Sequence, residues 1–219
     1  MSATRSEIRT QIRQNLNQTS APSAGLWSDT QINQKITNRI RRLNRFFRIG
    51  AIDTSLATSS GTVEYSFPTG VVRINKIEMW DLYNTPNTNL GEILNWKTFN
   101  DAGTWKIIFP QELSYSSDNP TAYTLKLFCE KRLTEPSADG TSLDCQLEEE
   151  ELIVVGASMD CLRDLFRSRV DMTRYLVEAI GTGGSTIDIA RAINEYHTQY
   201  NEIFNELKRS KAQKLSFGM

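Results

Sequence analysis

Apolar residues along this chain fall into three regimes of spacing. Across 4–18, Ile8, Ile12 and Leu16 recur every four residues, which predicts a helix with one narrow buried stripe. Thr4 and Glu7 have the form of a capping box at its start. Across 27–48, Ile32, Ile36, Ile40, Leu43 and Phe47 follow at steps of four and three, a second and wider helical stripe. Ser28 and Gln31 form its capping box, and Trp27 and Ile32 stand where a hydrophobic staple closes. The turn-rich segment 19–25 separates the two helices, and the second is expected to end near Gly50.

From about Ile52 the period changes to two. Val63, Tyr65 and Phe67 alternate with polar residues, and Pro68, Thr69 and Gly70 make a turn. The run 72–80 reads as a strand whose alternation slips near Lys76, the mark of a β-bulge. Residues 105–109 read as another strand, and Tyr123, Leu125, Leu127 and Cys129 give the cleanest alternation in the chain. The polar runs 84–89 and 114–120 read as loops, and 92–99 fits neither period. Short strands between turn clusters predict an antiparallel sheet or small sandwich.

The helical period then returns. Leu152, Val155, Met159, Leu162 and Phe166 form one stripe, with acidic residues at the helix start and Arg163, Arg167 and Arg169 toward its end, as the helix dipole favours. Residues 172–180 extend it until the glycine-rich 181–185 breaks it. A last helix over 186–211 carries Ile189, Ile193, Tyr196, Tyr200, Ile203 and Leu207 at alternating steps of four and three, close to a coiled-coil seam. Each terminal helix pair has a stripe it cannot bury alone. The expected fold is therefore α+β: a four-helix bundle formed by the N- and C-terminal helix pairs (1–51 and 143–211), an inserted antiparallel β domain (52–142), and a flexible tail (212–219).

Charge adds a second pattern. The net charge is −1, but residues 1–50 hold nine Lys and Arg against Glu7 and Asp29. Arg5, Arg9 and Arg13 make a basic stripe on the first helix. Arg39, Arg41, Arg42, Arg45 and Arg48 crowd the polar faces of the second, where Asp and Glu are absent from 30–51. Glu148, Glu149, Glu150 and Glu151 stand in a row, and Lys208, Arg209, Lys211 and Lys214 make the C-terminus basic. Such asymmetry points to charged partner surfaces, protein or nucleic acid. The segment 144–151 is a natural counterpart for the arginines, within one copy or across an interface.

Catalytic chemistry finds no support. His197 is the only histidine, with no cysteine or carboxylate at ligand spacing. Cys129, Cys145 and Cys161 show no CxxC pairing and are expected as reduced structural thiols, with no metal and no cofactor. The glycine-rich 181–186 lacks the lysine of a phosphate loop and follows no strand. No apolar run approaches the roughly 20 residues of a membrane span, and the first residues carry no apolar secretory region. The expectation is a non-enzymatic protein with reduced thiols in a cytosolic environment.

Two runs carry a family resemblance. LWSDTQINQKITNRI at 26–40 is similar to a Trp-Ser/Thr-Asp helix start, and YSFPTGVVRINKI at 65–77 is similar to a Tyr-x-Leu-Pro strand pair. With the helix pair from Leu152, they resemble, in order, the head-to-tail adaptor proteins of tailed bacteriophages. At Gln34 and Lys35 the chain departs from the alanine usual after the helix asparagine. The resemblance implies a non-enzymatic virion protein in the neck between capsid and tail. It implies a homo-oligomeric ring of twelve copies docked on the portal protein, touching other neck or tail proteins and enclosing the packaged DNA.

On that reading, Lys208, Arg209, Lys211, Lys214, Leu215 and Phe217 are expected to bind the portal. The arginines 39, 41, 42, 45 and 48 and glutamates 148–151 are expected at subunit contacts or the DNA channel. Two alternatives remain: another neck or tail-completion component, or a DNA-binding regulator using 27–48 as a recognition helix.

Overall fold

A computed structural model describes residues 3–17, 26–81, 87–113, 123–180 and 185–216; at 178–179 and 212–216 the description covers the backbone alone. The chain forms two compact units, one built from 1–46 and 133–219 and the other from 47–132.

Among the described residues, the first unit holds five helices: α1 (Arg5–Asn15), α2 (Asp29–Leu43), α3 (Leu147–Leu165), α4 (Arg169–Tyr175), which runs into a π-helical turn (Leu176–Ile180), and α5 (Thr186–Ser216). Both predicted capping boxes form. Thr4 Oγ1 accepts from the Glu7 amide while Glu7 reaches back to the Thr4 amide, and Ser28 and Gln31 do the same. These pairs satisfy amides that have no partner inside a helix. Helix α2 stops at Leu43, short of the expected end near Gly50, and after a turn over 44–46 the chain enters a strand at Ile49. Helix α5 continues to Ser216, past the expected end at 211.

The expected four-helix bundle with an inserted β domain is overturned. The helices are not four mutual neighbours about one axis. Helix α3 is the hub, with α1, α2 and α5 each docked on it. The reason lies in its sequence. Leu152, Ile153, Val154 and Val155 are consecutive and all buried, so α3 is apolar on nearly every side and requires neighbours on several faces. The stripes of α1 (Ile8, Ile12, Leu16) and α2 (Ile32, Ile36, Ile40, Leu43) are at most 1% exposed. Each such side chain contributes about 1.5–3 kcal/mol by leaving water. Helix α5 adds the single stripe predicted for it, buried at Ile189 and Leu207 and half-buried between them.

Among the described residues, the second unit has seven strands in two antiparallel sheets. They are β1 (Ile49–Ala57), β2 (Glu64–Ser66), β3 (Val71–Asp81), β4 (Thr88–Glu92), β5 (Lys97–Asp101), β6 (Thr104–Ile108) and β7 (Thr124–Lys131). The orders are β1-β7-β3-β4 and β2-β6-β5. Tyr65, Ile107 and Phe109 from one side and Ile74, Ile77, Leu125, Leu127 and Cys129 from the other share one core. The slip predicted near Lys76 is a register shift between Ile74 and Lys76, and another lies between Val71 and Arg73. Each shift lengthens an inward step from two residues to three, so β3 buries Val71, Ile74 and Ile77. Strand β4 begins inside the run 84–89 expected as loop and ends at the start of the ambiguous 92–99; its five residues are all exposed and show no alternation. The β5–β6 hairpin turns on Ala102 and Gly103, both at positive φ, which a two-residue turn of this twist requires. The predicted loop at 114–120 lies outside the described residues.

Candidate functional site

The N-terminal cations were the strongest sequence signal, and most are neutralised within their own unit. Arg5 and Arg9 both donate to Asp139, at 2.8 and 3.0 Å. Those hydrogen bonds, Arg9 first, hold the Asp139 carboxyl down at about 2. Arg9 also lies 3.3 Å from Asp29, and Arg13 donates to Asp29 at 2.8 Å and to the Trp27 carbonyl at 3.0 Å. Lys35 pairs with Asp164. Arg41 meets Glu135 at 2.8 Å with both side chains largely exposed.

Arg39 is the extreme case. Its side chain is 4% exposed, and it donates through Nε and Nη2 to the two oxygens of Asp160, at 2.7 and 2.5 Å. Its guanidinium lies 5.2 Å from the ring centroid of Tyr200 on α5. Gly156 makes room for it, since a Cβ there would stand 2.8 Å from Arg39 Cδ. One arginine thus ties α2, α3 and α5 together. The carboxylates that meet Arg5, Arg9, Arg13, Lys35, Arg39 and Arg41 are Asp29, Glu135, Asp139, Asp160 and Asp164, none of them in 144–151. A signal for two of these pairs was present in the spacing. Lys35 and Arg39 stand four apart on α2, and Asp160 and Asp164 stand four apart on α3, matched in antiparallel order.

Of the remaining arginines predicted as contacts, Arg42 and Arg45 are exposed beside Phe46, itself 68% exposed with its ring edge on Phe204 of α5. Arg48 is half-buried and donates to the Phe47 carbonyl.

The acidic row divides in the same way. Glu149 is fully buried; it accepts from the Gln146 amide at 2.6 Å and from the Lys211 ammonium. Lys211 and Glu149, predicted for two different partner surfaces, therefore meet each other. Glu150 is half-buried and accepts from Gln11 on α1, while Glu151 is exposed and accepts from Gln199 on α5. Glu148 is exposed, as are Lys208 and Arg209. Lys214 and Leu215 fall in the last turn of α5, and Phe217 lies outside the described residues.

Nothing among these groups is arranged for bond-making chemistry. His197 is exposed, with the Asn201 side-chain amide 3.4 Å from its ring nitrogens. The three cysteines are free. Burial pushes the Cys145 and Cys161 thiols up to about 12, with Glu150 and Glu149 reinforcing the shift at Cys145, so neither is a ready thiolate nucleophile at neutral pH. Among the described residues no cluster of His, Cys, Asp and Glu could hold a metal ion, and no helix is long and apolar enough to cross a membrane. The glycine-rich 181–184 lies outside the described residues.

What the first unit presents to solvent is shaped for contact. Past the end of α3, Phe166, Val170 and Val177 are 52%, 78% and 61% exposed, and the last two line a shallow cleft with Arg169, Thr173 and Arg174. The outer side of α5 exposes Glu195, Glu202 and Glu206 in one stripe.

A comparison with curated proteins returns no match. A family model described as SU10 adaptor protein matches residues 3–216, nearly the entire chain and both units. The chain belongs to the SU10 adaptor protein family and is a structural, virion-associated adaptor of a bacteriophage.

Proposed function

We propose that this adaptor forms a ring in the neck of the virion, docks on the portal protein and continues the DNA channel toward the tail. The observation that carries the reading is the family match over 3–216. The surface chemistry supports it: exposed apolar side chains, separate acidic and basic faces, and a basic end on α5 suit a protein held between other virion proteins. The portal contact is assigned to the α5 end, with Lys208 and Arg209 exposed and Lys214, Leu215 and Phe217 following. Arg41, Arg42 and Arg45 of α2, with Glu148 and Glu151 of α3, are assigned to neighbouring subunits or to the DNA path.

The internal pair of Lys211 with buried Glu149 dictates how this is tested. Removing 208–219 strips Glu149 of its cation and confuses docking with stability. Truncation after Lys211 keeps the pair. That variant is expected to retain its helical circular dichroism and lose portal co-sedimentation; portal binding at wild-type strength refutes the tail assignment. In the same assay, charge reversal of Arg41 and Arg42 is expected to leave folding intact and reduce assembled, DNA-retaining particles. A wild-type particle yield removes these two residues from the contact surface.

A further inference from the structure

Two faces of the helical unit complement each other on the same chain. One is the α4 face, where Val170 and Val177 stand in a cleft beside Arg169 and Arg174 and Arg163 is exposed nearby. Among the described residues, no carboxylate forms an ion pair with Arg163 or Arg169. The other is the outer face of α5. Glu195, Glu202 and Glu206, at steps of seven and four, share one side of the helix and likewise form no ion pair among the described residues. Gln199, lying between them, donates to Glu151 and so joins this strip to the start of α3. Toward the N-terminal end of the same face, Ile187 is 68% exposed and lies beside Ala190.

We propose that the α4 face of one copy seats on the outer α5 face of a second copy, with Arg169 and Arg174 against Glu195 and Glu202 and Val170 against Ile187. The occupant is a second copy because the arginines of one face answer the glutamates of the other and each face exposes an aliphatic side chain, Val170 or Ile187, while Arg191, which also lines the α5 groove, lies 4.0 Å from Asp188 of its own helix. Carboxylates repeated along one side of a helix repel one another and lower its stability. Arginines arriving from a neighbour convert that repulsion into bidentate contacts partly shielded from water. The two faces do not overlap, so a contact between them is head-to-tail and leaves each copy with one face of each kind available. Such contacts propagate and close when the rotation per copy allows. This inference rests on the ring reading above and assigns its subunit contact.

Two charge-reversed full-length variants test it, R169E/R174E and E195R/E202R. All four positions are exposed, so circular dichroism and melting temperature should match wild type. Self-association is read by sedimentation of the purified chain alone and with portal, and by cross-linking in virions. Each variant alone is expected to associate at least about tenfold more weakly than wild type, a change worth about 1.4 kcal/mol. Mixed, the two should recover association, because every α4 face then finds an α5 face of opposite sign; so should a chain carrying all four changes. Wild-type association by either variant alone, or failure of the mixture to recover, overturns the face assignment and leaves the ring reading standing. A wild type that is monomeric in solution, on portal and in virions removes both. If R169E/R174E associates normally but loses retention of duplex DNA, the occupant is nucleic acid and the proposal falls.

Discussion

Helices α2 and α4 both carry clustered arginines, and the structure treats Arg39 and Arg169 in opposite ways. On α2, Lys35, Arg39 and Arg41 meet Asp164, Asp160 and Glu135 of the same unit, and Arg39 is buried. On α4, Arg169 projects beside exposed Val170 above a cleft. The α2 row was the more conspicuous in the sequence, with no acidic residue after Asp29. The difference teaches that a basic face becomes a binding surface only after the chain's own carboxylates have been placed. Charge along a helix is a local property, while its neutralisation depends on which other helix arrives.

That contrast can be broken at its strongest point. Arg39→Ala leaves Asp160, whose side chain is 17% exposed, without its cation. The expected loss is about 3–5 kcal/mol, seen as a lower urea midpoint. Replacing both partners by Met and Leu should cost far less. A loss below about 1 kcal/mol for Arg39→Ala would make this pair no stronger than a surface bridge and erase the distinction between α2 and α4.

Gly156 sharpens the comparison with a change of sign. In the wild type, Gly156→Ala drives a methyl group into Arg39 Cδ, and overpacking is expected to cost about 1–2 kcal/mol. In an Arg39→Ala background the obstacle is gone, and the same change should stabilise by up to about 1 kcal/mol through helix propensity. Equal effects in both backgrounds, measured as a double-mutant cycle, would show that Gly156 does not exist to admit Arg39.

The smallest effect concerns α1. Hydrogen bonds from Arg9 and then Arg5 lower the Asp139 carboxyl from an ordinary 3.8 to about 2. A lowered carboxylate stabilises the fold at pH above its ordinary value, and that contribution fades as pH falls from about 4 to about 2. Asp139→Asn should therefore flatten the pH dependence of the urea midpoint in that window. An unchanged slope there would mean that the α1 cations are indifferent to Asp139.

The order of elements was largely legible because it rests on period. Helix stripes, both capping boxes, the bulge near Lys76 and the inward positions of β7 follow from local spacing and local hydrogen bonding. Strand β4 was not legible, because an exposed edge strand carries no alternation to read. Packing was not legible either. The stripe Leu152, Val155, Met159, Leu162 and Phe166 describes a helix with one buried face, whereas Ile153 and Val154 are also buried and Phe166 is half exposed. A residue-by-residue period cannot distinguish one covered face from three.

For the candidate surfaces the division is sharper. The sequence by itself determined where the charges and stripes lie along each helix, because these need only one chain segment and its period. Tertiary structure alone decided that α3 is the hub rather than one wall of a four-helix bundle. It also joined Lys211 to Glu149, and left Arg169 and the outer glutamates of α5 without an ion pair among the described residues while closing much of α2. An ion pair needs two groups to arrive within about 4 Å and lose their water together, and only packing brings residues 121 positions apart, such as Arg39 and Asp160, to that distance.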